Sequence, residues 1–135
     1  MINRVNNQKG FTLVELAIVV TVIGILATLA VVVYTSFLKQ ARTVEARSFL
    51  SALNRQETAY YVGNGKYTDD INNLGLPTLG TLRYYTDISV ALPNVFEPQS
   101  YIATAKGNID DDALLDEWTI DENQELINTV SDIDN

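Results

Sequence analysis

The chain has 135 residues, a formal net charge of −8, and neither cysteine nor histidine. Without cysteine there is no disulfide, thiolate nucleophile or cysteine-based metal site, and without histidine the commonest general base and metal ligand is missing. Enzymatic chemistry is therefore not expected, and the length allows one membrane anchor and one small domain.

The first ten residues are polar, carry Arg4 and Lys9 and no acid, and read as the basic start of a signal segment. Gly10-Phe11-Thr12-Leu13-Val14-Glu15 follows, and then Leu16 to Leu38, 23 positions without a charge. As a helix rising about 1.5 Å per residue, that run covers roughly 35 Å, enough to cross a hydrocarbon core of about 30 Å. It is too long for the apolar region of a discarded secretory signal, and the polar segment ends at Lys9-Gly10, before the run rather than after it. Glu15 stands just inside the run, where a lone charge costs a few kcal/mol; it either finds a partner or stays hydrated at the interface. Basic residues flank both ends of the run (Arg4 and Lys9, then Lys39 and Arg42), so charge alone does not orient it.

Lys9-Gly10-Phe11-Thr12-Leu13-Val14-Glu15, followed by an apolar helix containing Gly24-Ile25-Leu26-Ala27, resembles the class III signal of type IV prepilins and pseudopilins. The resemblance implies that a prepilin peptidase cuts after Gly10, that Phe11 becomes an N-methylated N-terminus, and that Glu15 serves subunit assembly. Val32 stands near the place where many family members carry a proline. The resemblance further implies a structural subunit of a type IV pilus, held in the inner membrane as a prepilin and then polymerised into an extracellular filament. Its partners would be other copies of itself, minor pilins and the pilus assembly platform. No small-molecule substrate is implied, and DNA would be met only through the assembled pilus. Motility, adhesion and DNA uptake remain equal options. Two other readings stay open: a pseudopilin of a type II secretion system, and a monomeric membrane-anchored domain in which the Gly10-Phe11 match is accidental.

Beyond Leu38 the helical pattern continues. Leu38, Ala41, Phe49, Ala52, Leu53, Ala59 and Tyr60 share one side of a 3.6-residue wheel, with Thr43, Arg47, Ser51, Asn54 and Thr58 opposite; Arg42, Glu45 and Gln56 interrupt the apolar side. One helix is expected from about Thr12 to about Val62, closed by Gly63-Asn64-Gly65. Thr68 to Gly75 reads as a short helical turn capped by Thr68. Strand-like runs follow at Leu82 to Leu92, Ser100 to Lys106, Glu117 to Ile120 and Glu125 to Asn128, joined by short connections that imply an antiparallel meander. Of each tyrosine pair, Tyr60-Tyr61 and Tyr84-Tyr85, one member is expected in the core and one outside. Ser131 to Asn135 is expected to fray.

The expected fold class is therefore α+β, a long N-terminal helix packed against a small antiparallel sheet. Its segments are a leader (1–10), a membrane-spanning or filament-core helix (11–38), an amphipathic continuation (39–62), a connecting region with a short helix (63–81), and a sheet region ending in an acidic C-terminus (82–135). Residues 107–135 hold ten acids and no base. Asp110, Asp111, Asp112 and Asp116 are candidate oxygen ligands for Ca²⁺, but their spacing is not that of an EF-hand loop. It favours a solvated acidic face and no cofactor.

Overall fold

The computed structural model describes residues 10–76, 82–97, 99–110 and 112–133. These form a long helix α1 (Leu13–Asn64), a 3₁₀ turn (Ile71–Leu74), and strands β1 (Asp87–Ala91), β2 (Ile102–Gly107), β3 (Asp116–Asp121) and β4 (Leu126–Val130). The fold is α+β. The chain divides between Thr35 and Ser36 into two units.

In the first unit, every residue from Gly10 to Thr35 is exposed. An 18-residue window of α1 has a mean hydropathy of 3.0 with no part of it buried, and α1 is long and apolar enough to cross a membrane. Its threonine hydroxyls turn back onto the helix: Thr21 donates to the Ala17 carbonyl, Thr28 to that of Ile25 and Thr35 to that of Val32, at 2.8–2.9 Å.

In the second unit, the four strands form an antiparallel meander in the order β1-β2-β3-β4. The alternation seen in sequence sets its faces. Tyr101, Ala103 and Ala105 are buried together with Ala46, Phe49, Leu50 and Leu53 of α1, while Ile102 faces outward. Small residues on β2 let neighbouring chain approach closely. A Cβ added at Gly107 would lie 2.3 Å from the Tyr84 carbonyl oxygen. Tyr85 is fully buried, whereas Tyr84 lies half-buried with the Arg42 and Arg83 guanidiniums 5.0 and 5.4 Å from its ring. Tyr60 packs against the core, and Tyr61 stacks on Tyr67 at 4.6 Å. At its C-terminus α1 closes with Gly65 in the left-handed conformation (φ 70°), its N–H donating to the Tyr61 carbonyl at 2.7 Å.

Three expectations are corrected. The buried stripe of α1 is Thr43, Ala46, Phe49, Leu50, Leu53, Asn54 and Glu57: it keeps the expected Phe49 and Leu53, leaves Leu38, Ala41 and Ala59 exposed, and takes in Thr43 and Asn54 from the side expected opposite. Two of the polar residues in this stripe bind groups beyond the helix. The Asn54 amide donates to the Tyr101 hydroxyl at 2.6 Å and to the Asp121 carbonyl at 3.0 Å, and Glu57 accepts the Thr68 N–H at 3.2 Å. The cap of the 3₁₀ turn is Asp70, which accepts the Asn72 N–H, while Thr68 lies further back and accepts the Asp70 N–H. The C-terminal segment does not fray at Asp132. That residue is fully buried, its N–H donating to Asp116 and its carbonyl accepting from Lys39.

Burial pushes the Glu57 carboxyl up to about 7, with the charge of Asp69 adding to the rise and the Thr68 N–H opposing it. The protonated group suits the folded state, so its contribution is complete below its ordinary value of 4.5 and is lost as pH climbs to about 7. At roughly 1.4 kcal/mol per pKa unit the loss is at most about 3.5 kcal/mol. Glu57→Gln should therefore gain in melting temperature over the wild type as pH rises from about 5 to about 8. A gap that stays constant with pH would contradict this.

Asp116 is also fully buried. Its carboxylate accepts the Tyr85 hydroxyl, the Trp118 indole N–H at 2.6 Å, the Asn128 amide at 3.0 Å and the Asp132 N–H at 3.2 Å. Asp116→Ala would strand four donors and should cost about 3 kcal/mol or more, read as a lower melting temperature of the detergent-solubilised chain.

Candidate functional site

The candidate site is the start of α1. Thr12 immediately precedes the first helical residue, and Glu15 lies three positions on. The first N–H groups of any helix have no carbonyl to meet, and this pair satisfies them reciprocally. The Glu15 N–H donates to Thr12 Oγ1 at 3.2 Å, while Glu15 Oε2 accepts both the Thr12 N–H and the Thr12 hydroxyl at 2.8 Å. This Thr-x-x-Glu arrangement is a capping box, and the negative carboxylate also suits the positive end of the helix dipole. The spacing was present in the sequence, but the apolar run drew attention to the cost of a charge rather than to its local partner.

Gly10 and Phe11 precede the helix and are exposed, Phe11 by 85%. Gly10 lies outside regular structure, with nothing within 4 Å of an added Cβ. Around it, Phe11, Leu13, Val14 and Leu16 present apolar surface, so the only charge among described residues 10–38 is that of Glu15.

The acidic candidates are redistributed by the fold. Asp111 lies outside the described residues. Asp110 and Asp112 are brought together, and they are joined by Asp132, which no local pattern marks: it is 20 residues from Asp112 and in a segment expected to fray. Asp116 is not a member of this group, its carboxylate being taken up by the four donors described above.

Residues 5–31 match the prokaryotic N-terminal methylation motif. Over 84 residues the chain is 34% identical to the type IV major pilin protein PilA of Myxococcus xanthus, spanning 62% of this chain and 38% of that protein. It is 36% identical over 69 residues to the type IV major pilin protein PilE1 of Neisseria gonorrhoeae, spanning 51% of this chain and 42% of the relative. With the fimbrial protein EcpC of Eikenella corrodens it shares 31% over 84 residues, 62% of this chain and 55% of that one. Among solved structures it is similar to the non-core minor pilin PilV of Neisseria meningitidis, with 17% identity and a TM-score of 0.46, over 72% of this chain and 92% of that one. The chain thus spans roughly 38–55% of the length of these curated relatives. The methylation motif thus lies over the capped, apolar start of α1, and the chain is similar there to type IV pilins.

Proposed function

We propose that this chain is a structural, non-enzymatic subunit of a type IV pilus, cleaved after Gly10, N-methylated at Phe11, and polymerised through α1. The observation that carries this reading is the pairing of a wholly exposed apolar first segment of α1, up to Thr35, with a single carboxylate at its start. Lipid can cover such a helix before assembly, and neighbouring helices of the same kind can cover it in a filament. The contact between subunits is then head-to-tail and does not close, which yields a helical polymer rather than a ring.

Cleavage changes the charge balance at the site. The new ammonium of Phe11 and the carboxylate of Glu15 lie about one helical turn apart. At the lipid headgroups both remain hydrated; in a dry filament core either charge unpaired costs several kcal/mol. In the growing filament the ammonium of an arriving subunit pairs with Glu15 of one already in place, cancelling both charges and fixing the axial step. Until then Glu15 is satisfied by Thr12 of its own chain.

Two tests follow from separate steps. The intact mass of the protein purified from the envelope should correspond to a chain beginning at methylated Phe11, and Gly10→Val should block the cut by crowding the peptidase pocket. Wild-type filaments carrying residues 1–10 would overturn the assignment. Independently, Glu15→Ala should leave membrane insertion intact and cleavage largely so, yet reduce surface filaments to a small fraction of wild type. Glu15→Gln, which keeps size but not charge, should fail as well. Filaments at wild-type levels from either variant would show that charge pairing at Glu15 does not register the subunits.

A further inference from the structure

Asp110 and Asp112 sit in the loop from β2 to β3, and Asp132 lies two residues beyond β4. Glu117 near the start of β3 pairs with Val130 at the end of β4, so both segments leave the same end of the sheet. One carboxylate oxygen from each of the three residues lies within 4.8 Å of the other two.

The loop holds its own aspartates in place. Asp110 accepts the Asp112 N–H at 3.1 Å through Oδ1, and Asp112 accepts the Leu114 N–H at 2.7 Å through Oδ1. Asp132 differs from both. It is fully buried, and among the described residues neither of its side-chain oxygens has a hydrogen-bond partner. Its backbone is fastened on both sides, N–H to Asp116 and carbonyl to Lys39, so the carboxylate is kept where it is. Buried carboxylates without donors are strongly disfavoured unless a cation compensates them. Burial, and then the charges of Asp110 and Asp112, push the Asp132 carboxyl above its ordinary range.

Lys39 supplies a first cation, its ammonium 2.5 Å from Asp110 Oδ2. The nearby Arg42 guanidinium is engaged elsewhere, by the Ile109 carbonyl and the Tyr84 ring. Among the described residues, one ammonium stands with these three carboxylates, an excess of two negative charges that a divalent ion would cancel. An oxygen-only donor set selects hard cations. Oxygens up to 4.8 Å apart can be spanned by one ion at a Ca–O length of about 2.4 Å, whereas Mg–O at about 2.0–2.1 Å would require the three segments to close further.

We propose that Asp110, Asp112 and Asp132 form a binding site for a divalent cation of the calcium class, for which the Lys39 ammonium competes. The site would tie the β2–β3 loop to the segment after β4, with water or loop carbonyls completing the shell.

The test uses the full chain in detergent micelles, freed of metal by a chelator, titrated with Ca²⁺ or Mg²⁺ at constant ionic strength and followed by calorimetry and thermal melting. One Ca²⁺ per chain should bind, with a Kd of about 10⁻⁴–10⁻³ M, and the melting temperature should rise with free calcium. Mg²⁺ should need about tenfold more to give the same rise. Asp132→Asn removes no hydrogen bond made by the carboxylate and should weaken calcium binding by about tenfold or more. Lys39→Gln should tighten it, a change of opposite sign that misfolding would not produce. Several results would overturn the site: no heat or melting shift with calcium to about 10 mM, equal responses to both ions, unchanged affinity in Asp132→Asn, or weaker binding in Lys39→Gln.

Discussion

Glu45 of α1 accepts three consecutive backbone N–H groups, and the attachment of the sheet to the helix depends on that grip. Arg83 donates to Oε1 at 2.6 Å, while Tyr84 and Tyr85 donate to Oε2 at 2.7 and 3.2 Å. These residues enter β1 from outside the ladder, so no strand offers them acceptors. Left without partners, such amides cost about 1–3 kcal/mol each when buried. A carboxylate on the helix removes that cost and fixes where Tyr85 enters the core. The same device recurs further along α1. Asn54 meets the carbonyl that ends β3, and Glu57 meets the N–H of Thr68 before the 3₁₀ turn.

From Tyr85 the contacts run on through the sheet and back to α1. Its hydroxyl donates to Asp116 at the start of β3, and Asp116 accepts the N–H of Asp132. The Asp132 carbonyl in turn accepts from Lys39, less than two helical turns before Glu45. The path leaves the helix at one residue and returns at another, crossing the segment before β1, the start of β3 and the end of the chain. Gly107 belongs to the same construction. Any side chain there would strike the Tyr84 carbonyl and push Tyr84 and Tyr85 away from the positions Glu45 sets.

Local signals made the fold class legible. The charge-free run from Leu16 to Leu38, the glycines flanking Asn64, and the alternation of Tyr101, Ala103 and Ala105 each act within a few residues, and sequence displays such patterns directly. The buried stripe of α1 was not legible, because hydropathy assigns Thr43, Asn54 and Glu57 to solvent. Asn54 and Glu57 find their partners beyond the helix, the carbonyl of Asp121 lying 67 residues from Asn54 and the N–H of Thr68 lying 11 from Glu57. Asp132 fails for the same reason, its backbone partners being Asp116 and Lys39 at separations of 16 and 93 residues. At the start of α1 the limit was different. The Thr12–Glu15 spacing is a local signal, but a carboxylate in an apolar run poses the question of cost first, and the capping answer appears only when the atoms are placed.

The two parts of α1 solve opposite problems with polar atoms. Beyond Ser36, Lys39, Arg42, Glu45, Asn54 and Glu57 reach out to loops and strands and so hold one specific surface against the helix. Before it, the threonine hydroxyls and the carboxylate of Glu15 are all turned onto α1 itself or its cap. What that segment offers to its surroundings is almost purely apolar, including Val32, where the helix continues without a break. An apolar surface attracts without direction, and a similar helix could slide along it at little cost. In the filament reading, a charge at one end of such a segment is what converts general attraction into a defined step. The capping box makes this compatible with a bilayer, since Thr12 lowers the cost of keeping the carboxylate there while no partner is present, and an ammonium offers it the stronger, charge-assisted bond when one arrives.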